Sequence, residues 1–429
     1  MKILLAALAL LSAAPAIAAL SPAETRMVRT VDAEQARHLA LLEQLVNQNS
    51  GTLNSAGVKV VGEMMRAELE PLGFKVEWLD MSAANRSGHI VARKPGSGKK
   101  LLLIGHLDTV FELDSPFQKW TRNGDRGEGP GAGDDKGGMV VMLAALRAMQ
   151  AAGTLKNADI TVFLTGDEED SGPVAISRKA LIEEGRKADA ALDFEGLVRD
   201  NGQDMGSVAR RSSDEWTLTV KARPGHSSGI FSVGSGNGAI YETARIVDAF
   251  RRELREPNLT FNVGLIGGGD GATLDAGRVR IAATGKTNII ASTAIARGDL
   301  RALSPEQIAR AKARMRAIVA QSLPGAQASI EFHPDGYPPM APTAGNRALF
   351  AVLQGANRDL GLPEIGELDP VKRGAGDVSF VAADVDALAG LGTYSTGDHA
   401  PGEAVDIPSI WTQAKRAAIL MSRLSAVKR

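Results

Sequence analysis

Hydrophobic and polar positions in the first half of the chain alternate between two periods. Two stretches with apolar residues at helical spacing precede three strand-like stretches, over residues 34–48, 58–73, 74–81, 89–94 and 99–110. A predicted helix over 136–153 ends at a glycine, and a strand over 158–165, a helix over 177–187 and a strand over 188–194 follow. This alternation predicts an α/β fold, with a central, mostly parallel sheet flanked by helices on both faces.

The pattern changes near residue 212. Residues 215–222 alternate with period two, a long helix is predicted over 238–255, and further strands and one helix fill the stretch to residue 332. About 120 residues of mixed α+β pattern are enough for an independent domain. We therefore predict a first part of the main domain over 19–211, an inserted α+β domain over 212–332, and a second part over 333–429.

The N-terminus has the pattern of a cleavable leader. Lys2 precedes an apolar run over residues 3–11, and Ala16 and Ala18 give the small-x-small pattern of a cleavage site. A membrane anchor is the alternative, but the run is far shorter than the ~20 residues that span a bilayer. We expect a signal peptide over 1–18 and a mature protein that is periplasmic or secreted, without stable membrane insertion.

Composition removes several classes of function. The net charge is −1 and aromatic residues make up 4% of the chain, so neither a basic surface nor a stacking surface for nucleic acid is indicated. Cysteine is absent, which excludes disulfides, thiolate metal sites and a cysteine nucleophile. The 44% hydrophobic content of the 429-residue chain is enough for a sizeable core.

Five motifs rich in acidic residues or histidine fall at or near predicted strand ends, where open α/β sheets bind ligands. They are GHLDTV with His106 and Asp108, GAGDDKGG with Asp134 and Asp135, TGDEED over 165–170, ALDFEG with Glu195, and GDHAPGE with His399.

Each motif alone has an ordinary explanation: a hydrogen-bonded core histidine, a helix N-cap, or a solvated loop. Together they crowd carboxylates in a way that is costly unless a cation neutralises them. Two divalent metals would account for the set, and histidine with carboxylate suits zinc, manganese or cobalt.

In this order and spacing, the five motifs resemble the aminoacylase/carboxypeptidase family of dinuclear zinc hydrolases, and within it the bacterial glutamate carboxypeptidases of the carboxypeptidase G type. The resemblance spans nearly the whole mature chain and implies a role for each residue. His106 and Glu195 would hold one zinc, Glu169 and His399 the other, and Asp134 would bridge them across a cis Asp134–Asp135 peptide. Asp108 would orient His106, and Glu168 would be the general base.

The resemblance also implies that the inserted domain is a lid that forms a homodimer. His226 in PGHSSG would stabilise the oxyanion from the partner subunit, Asn288 would bind a substrate oxygen, and Arg301 would bind the terminal carboxylate. Glutamate-specific relatives carry an arginine just after the lid, where this chain has Tyr337. Glutamate should therefore hold no large advantage unless another cation, Arg210 or Arg211, takes that place.

The expected function is that of an exported zinc hydrolase. It would cleave an amide or peptide bond next to a free carboxylate in a small peptide or N-acyl amino acid. An aminoacylase or a dipeptidase is the enzymatic alternative. A metal-free periplasmic ligand-binding relative on the same fold is the non-enzymatic alternative.

Overall fold

The computed structural model describes residues 20–427 of the 429-residue chain, so the predicted leader lies outside the described residues. The helices are α1 Pro22–Ala33, α2 Gln35–Asn47, α3 Ser55–Leu69, α4 Lys136–Ala152, α5 Val174–Ser177, α6 Lys179–Gly185, α7 Ala239–Glu253, α8 Pro305–Val319, α9 Ala344–Asp359 and α10 Ile407–Ser425. Within this range, no helix is both long and apolar enough to cross a membrane.

The strands are short in most cases and fall into several sheets. They are β1 Lys75–Asp80, β2 Gly88–Lys94, β3 Lys100–His106, β4 Thr121–Asn123, β5 Arg126–Glu128, β6 Asp159–Thr165, β7 Ala190–Asp193, β8 Val198–Asp200, β9 Gln203–Gly206, β10 Asp214–Ala222, β11 Gly225–His226, β12 Thr260–Phe261, β13 Leu265–Gly269, β14 Gly271–Leu274, β15 Ile281–Thr284, β16 Ile289–Ile290, β17 Thr293–Arg301, β18 Ala326–Phe332, β19 Gly366–Glu367, β20 Ala387–Leu388, β21 Ser395–Thr396 and β22 Ala404–Asp406.

The central sheet has the order β1-β2-β6-β3-β7-β20. Strand β3 runs parallel to β6 on one side and to β7 on the other, and β20 continues the parallel part beyond β7. Strand β2 alone among these six has the opposite direction, and it pairs antiparallel with β1 and β6. The predicted α/β class with a mostly parallel sheet is therefore confirmed.

Both faces of this sheet are buried, which explains the nearly continuous apolar run of β3. Leu101 and Leu103 pack into a core formed with α1, α2, α3, α4, α9 and α10. Leu102 and Ile104 point the other way, into a second core that also contains Leu181 of α6. The period of two along the strand thus divides its side chains between two helical layers.

Residues 214–332 build a second sheet with a core of its own. Strand β17 pairs with β10, β12 and β13, and β18 pairs with the other edge of β10. Helices α7 and α8 cover this sheet, and the ring of Trp216 meets that of Phe250 nearly at right angles, with centroids 5.7 Å apart. A separate core of this kind is what an inserted domain requires.

Two elements differ from the sequence-based expectation. Helix α1 was not predicted, although Ser21 and Glu24 form a capping box at its start. The helix expected over 177–187 is shorter, covering Lys179–Gly185 as α6, and the four-residue helix α5 precedes it across Arg178. The guanidinium of Arg178 is completely buried and forms ion pairs with Asp167 and Asp377, so a tertiary contact, rather than local helical spacing, decides the course of the chain there.

Candidate metal centre

Three adjacent strands bring three of the five motifs together. Strand β3 lies between β6 and β7, and all three run in the same direction. His106 ends β3, Glu168 and Glu169 follow β6, and Glu195 follows β7. These side chains therefore meet at the carboxyl edge of the sheet, as the sequence predicted.

The other two motifs reach this edge from loops, in keeping with their glycine-rich sequences. Asp134 lies in the turn before α4, and His399 lies in the loop between β21 and β22, with a φ of 64°. The Asp134–Asp135 peptide is cis, as the resemblance implied. Asp135 is the N-cap residue of α4 by position, but its side chain makes no capping bond and instead accepts a hydrogen bond from the backbone N–H of His106.

Asp134 lies between the two histidines. Its Oδ1 is 2.9 Å from Nε2 of His106, and its Oδ2 is 3.2 Å from Nε2 of His399. The same Nε2 of His399 is 3.1 Å from Oε2 of Glu169. Each oxygen of Asp134 thus faces a different histidine, which is the arrangement expected of a carboxylate that bridges two ions.

Asp108 fixes the orientation of this group. The Nδ1 atom of His106 is 3.4 Å from Oδ1 of Asp108, which leaves Nε2 facing Asp134. The same fully buried carboxylate accepts the backbone N–H groups of Glu168 and Glu169, at 3.0 and 3.1 Å. Nδ1 of His106 is also 3.1 Å from the backbone carbonyl of Asp108. Asp108 therefore positions the histidine through its main chain and its carboxylate, and both glutamates through its carboxylate, as the outer partner of a metal ligand does.

Glu195 has different partners from the other predicted ligands. Its Oε2 accepts hydrogen bonds from Arg210, at 2.6 Å, and from Arg373, at 3.3 Å. Arg210 also binds Asp193. Both contacts fall on Oε2, which leaves Oε1 for a cation, but the structure does not bring Glu195 into contact with His106. Their pairing on one metal stays a prediction.

The electrostatics of the group favour a bound cation. Burial raises the pKa of Glu169 to about 7, and burial together with the charge of Glu195 raises the pKa of Glu168 well above its usual range. Hydrogen bonds to Asp134 and Glu169 raise the pKa of His399 to about 11. Glu168, Glu169 and His399 therefore keep their protons more readily than they would in water, as crowded carboxylates do when no other cation neutralises them.

The donor set also fits such ions. Ligand atoms of His106, Asp134 and Glu169 all lie within 4.8 Å of one another. The set of imidazole nitrogens and carboxylates, without thiolates, suits zinc and also manganese or cobalt. The residues present therefore fit the dinuclear cofactor that the resemblance implied.

The predicted lid residues lie apart from this centre. His226 and Asn288 are exposed neighbours, because β11 pairs with β16 and the N–H of Ser227 donates to the carbonyl of Asn288. Arg301 ends β17 and forms an ion pair with Asp299. Among the described residues, the lining of the cavity of about 380 Å³ that holds Asp134, Glu168 and His399 includes none of these three.

Sequence reasoning missed a supporting carboxylate. Glu403 closes the GDHAPGE motif and is buried behind Asp134, where its Oε1 accepts the N–H groups of Gly133 and Asp134 at 2.9 and 3.1 Å. Burial raises the pKa of Glu403 to about 8. Its place in the motif was the available signal, but the sequence did not show which backbone it supports.

Two further residues at the site were also missed. Tyr337 was noted only because it replaces an arginine, yet its hydroxyl donates to the carbonyl of Glu168 at 2.7 Å. Arg373 lines the cavity together with Asp134 and Glu168, and no local pattern distinguishes it from a surface arginine. Arg210 and Arg211 were the two cations suggested as substitutes for the arginine missing after the inserted domain. Arg210 lines the cavity, whereas Arg211 binds Thr260 and the carbonyl of Val371.

Curated proteins of known name match parts of this chain. The chain is 30% identical over 234 residues to carboxypeptidase G2 of Pseudomonas sp. (strain RS-16), an alignment of 53% of this chain and 54% of that protein. It is 31% identical over 205 residues to succinyl-diaminopimelate desuccinylase of Delftia acidovorans, covering 44% and 51%. The chain thus spans about half the length of the curated relatives it matches.

The fold has close counterparts among solved structures. A tripeptidase from Staphylococcus aureus superposes with a TM-score of 0.71 at 19% identity, over 91% of this chain and 98% of that one. The model of peptidase family M20/M25/M40 matches residues 102–423, a stretch that contains every predicted metal ligand. The chain therefore belongs to peptidase family M20/M25/M40 and is a hydrolase of the peptidase and amidohydrolase type, and the donor set of its candidate centre fits divalent ions such as zinc.

Proposed function

We propose that this protein is an exported, glutamate carboxypeptidase-like exopeptidase that cleaves an amide bond next to a free carboxylate. The observation that supports this most directly is Asp134, whose two oxygens face different histidines in the cavity that Glu168 also lines. The substrate would be a small peptide or an N-acyl amino acid.

A second candidate function is N-acyl amino acid hydrolysis, by an aminoacylase, or dipeptide hydrolysis. The similarity to succinyl-diaminopimelate desuccinylase supports the N-acyl version. The two candidates share one chemistry and differ in the acyl group and the leaving amino acid. Membership of a hydrolase family disfavours the non-enzymatic ligand-binding alternative.

The metal ions, when bound, would lower the pKa of a water molecule and polarise the scissile carbonyl. The remaining steps belong to the chain. Glu168, which lines the cavity, would take a proton from the attacking water and deliver it to the leaving amine. Asp108 would keep Nε2 of His106 directed at the centre.

Glu168 is held at both ends of its backbone. Its N–H donates to Asp108, and its carbonyl accepts the hydroxyl of Tyr337. That hydroxyl also accepts a hydrogen bond from the buried guanidinium of Arg178, at 3.3 Å. A proton carrier must lie within hydrogen-bond reach of the atoms it serves, so we infer that Tyr337 positions the base.

The inserted domain would complete the site from a second subunit. We propose that Arg301 binds the substrate carboxylate, Asn288 a substrate oxygen, and the partner's His226 the developing oxyanion. Among the described residues, none of the three lines the metal cavity of its own chain, which supports a contribution of His226 in trans. Large apolar side chains exposed on this domain, which a partner would cover, include Ile240, Ile266 and the contacting rings of Phe231 and Tyr241.

Glu168→Ala should retain both metals and lose most of its turnover, because general acid–base groups contribute ~10²–10⁴-fold. Metal analysis would measure the bound ions, and a screen of N-acyl amino acids and dipeptides would measure turnover. More than about a third of wild-type kcat in Glu168→Ala would assign the base to another residue.

Asp134→Ala should lose metal as well as activity, as the same two measurements would show. Two tightly bound zinc ions in Asp134→Ala would show that Asp134 is not the bridging ligand.

Tyr337→Phe should lower kcat by about 2- to 12-fold, the equivalent of one hydrogen bond of ~0.5–1.5 kcal/mol. KM, metal content and melting temperature should change little, because the ring still packs against Phe380. Tyr394→Phe is the matched control, because the ring of Tyr394 lies against Arg199 and does not line the metal cavity. An unchanged kcat in Tyr337→Phe would show that its hydroxyl does not position Glu168.

The protein should be a homodimer at micromolar concentration, as analytical ultracentrifugation would show. His226→Ala and Glu168→Ala should each be inactive, yet mixing and exchanging their subunits should restore about a quarter of wild-type activity, since half of the dimers are mixed and each has one intact site. A fully active monomer, or no recovery on mixing, would exclude a role for a partner's His226.

Export would be visible in the mature chain. In a cell that makes the full-length protein, we expect the active form in the periplasm or medium, with Ala19 as its first residue. N-terminal sequencing of the fractionated protein measures this. Uncleaved active protein in the cytoplasm would contradict it.

A further inference from the structure

Arg373 lies in the wall of the metal cavity. It follows a short helical turn over Pro370–Lys372, and its side chain is only 11% exposed. The cavity that it lines also contains Asp134, Glu168 and His399. A guanidinium in this place would face any substrate bound at the centre.

The hydrogen bonds of Arg373 leave part of its guanidinium unused. Nη1 donates to the carbonyl of Gly196, and Nη2 reaches Oε2 of Glu195 at 3.3 Å. Nε is buried and has no hydrogen-bond partner among the described residues. A buried donor without a partner costs free energy, so the hydrogen bonds of Arg373 satisfy its guanidinium less completely than those of a fully paired arginine.

Arg210 offers a direct comparison in the same wall. Its Nε binds the carbonyl of Gly374, its Nη1 binds Asp193 at 2.9 Å, and its Nη2 binds Glu195 at 2.6 Å. Arg210 therefore has a carboxylate, Asp193, that is not a predicted metal ligand. Every nitrogen of Arg210 thus donates a hydrogen bond. The one carboxylate bound by Arg373 is Glu195, at 3.3 Å, and Arg210 binds the same oxygen at 2.6 Å.

The neighbouring charges balance Arg373 only in part: burial and Arg210 lower its pKa, against the opposing charges of Glu195, Asp193 and Asp134. Lys372 precedes it and forms its own ion pair with Asp200. Glu195 is shared with Arg210 and is a predicted metal ligand, so a bound cation would draw on the same carboxylate. Arg373 is then a cavity-lining charge without a carboxylate of its own.

We propose that Arg373 is a specificity residue that binds a second anionic group of the substrate, in addition to the carboxylate next to the scissile amide. This rests on the proposed amide hydrolysis and narrows its substrates to dianionic ones. The planar fork of a guanidinium matches a carboxylate, which gives orientation as well as affinity. The proposal also supplies a cation in a site that lacks the arginine found after the lid in glutamate-specific relatives.

The second carboxylate could belong to the leaving amino acid or to the acyl group, and matched substrate pairs distinguish the two. N-acetyl-L-glutamate against N-acetyl-L-glutamine tests the leaving side. N-succinyl-L-alanine against N-succinamoyl-L-alanine tests the acyl side. Within each pair only the charge of one terminal group changes.

Binding is measured by calorimetry on the zinc-loaded Glu168→Ala protein, so that no probe is consumed, and kcat/KM is measured on the otherwise wild-type enzyme. We expect the acid of one pair to be favoured over its amide by about 10- to 150-fold, the range for hydrogen bonds to charged groups. Arg373→Gln should remove that preference, so that its kcat/KM and affinity fall more for the acid than for the matched amide. Arg373→Lys should restore it in part.

Arg347→Gln is the matched control, because Arg347 is half exposed and pairs with Glu367 on the surface. Zinc content and melting temperature of Arg373→Gln would show that the fold is retained. The inference is overturned if neither acid is preferred, or if Arg373→Gln weakens acid and amide equally. Hydrolysis of the amides with no acid preference would overturn it while leaving the proposed function intact.

Discussion

The carboxylate of Asp108 is the contact on which the rest of the centre depends. It is fully buried, and burial of a charge is tolerated only when hydrogen bonds replace its water. Its donors are Thr52, at 2.6 Å, and the N–H groups of Glu168 and Glu169, and it lies beside Nδ1 of His106. Because these donors come from different segments, satisfying one carboxylate fixes the histidine at the end of β3 relative to the glutamates that follow β6.

A buried cation fixes the same glutamate segment from the other side. Arg178 binds Asp167 and Asp377 through ion pairs, and it donates to the hydroxyl of Tyr337, which in turn binds the carbonyl of Glu168. A buried charge in this setting must keep all its partners, since loss of one leaves an uncompensated charge. Tyr337, which follows the inserted domain, is thus hydrogen-bonded to the backbone of the candidate base Glu168.

The wall around Glu195 shows how charge is distributed for a ligand. Arg210 has Asp193 as a partner, Glu195 is shared, and Arg373 is the guanidinium with an unused donor. The raised pKa values of Glu169 and His399 reflect the same crowding of carboxylates, which a cation would relieve. Family membership accounts for the hydrolytic chemistry, whereas in our proposal this wall of the cavity determines which substrates bind.

Local sequence pattern was enough to predict the sheet, because short apolar runs between stretches of helical spacing are recognisable without tertiary contacts. It also placed candidate ligands after β3, β6 and β7 at one edge, because parallel strands end together there. With the family resemblance, the sequence also named Asp134 and His399. It did not show that Glu403 supports the backbone at Asp134, or that Arg178 is buried between α5 and α6. Only the tertiary structure distinguished Arg373 from a surface arginine, because burial and the sharing of a carboxylate depend on segments that are distant along the chain.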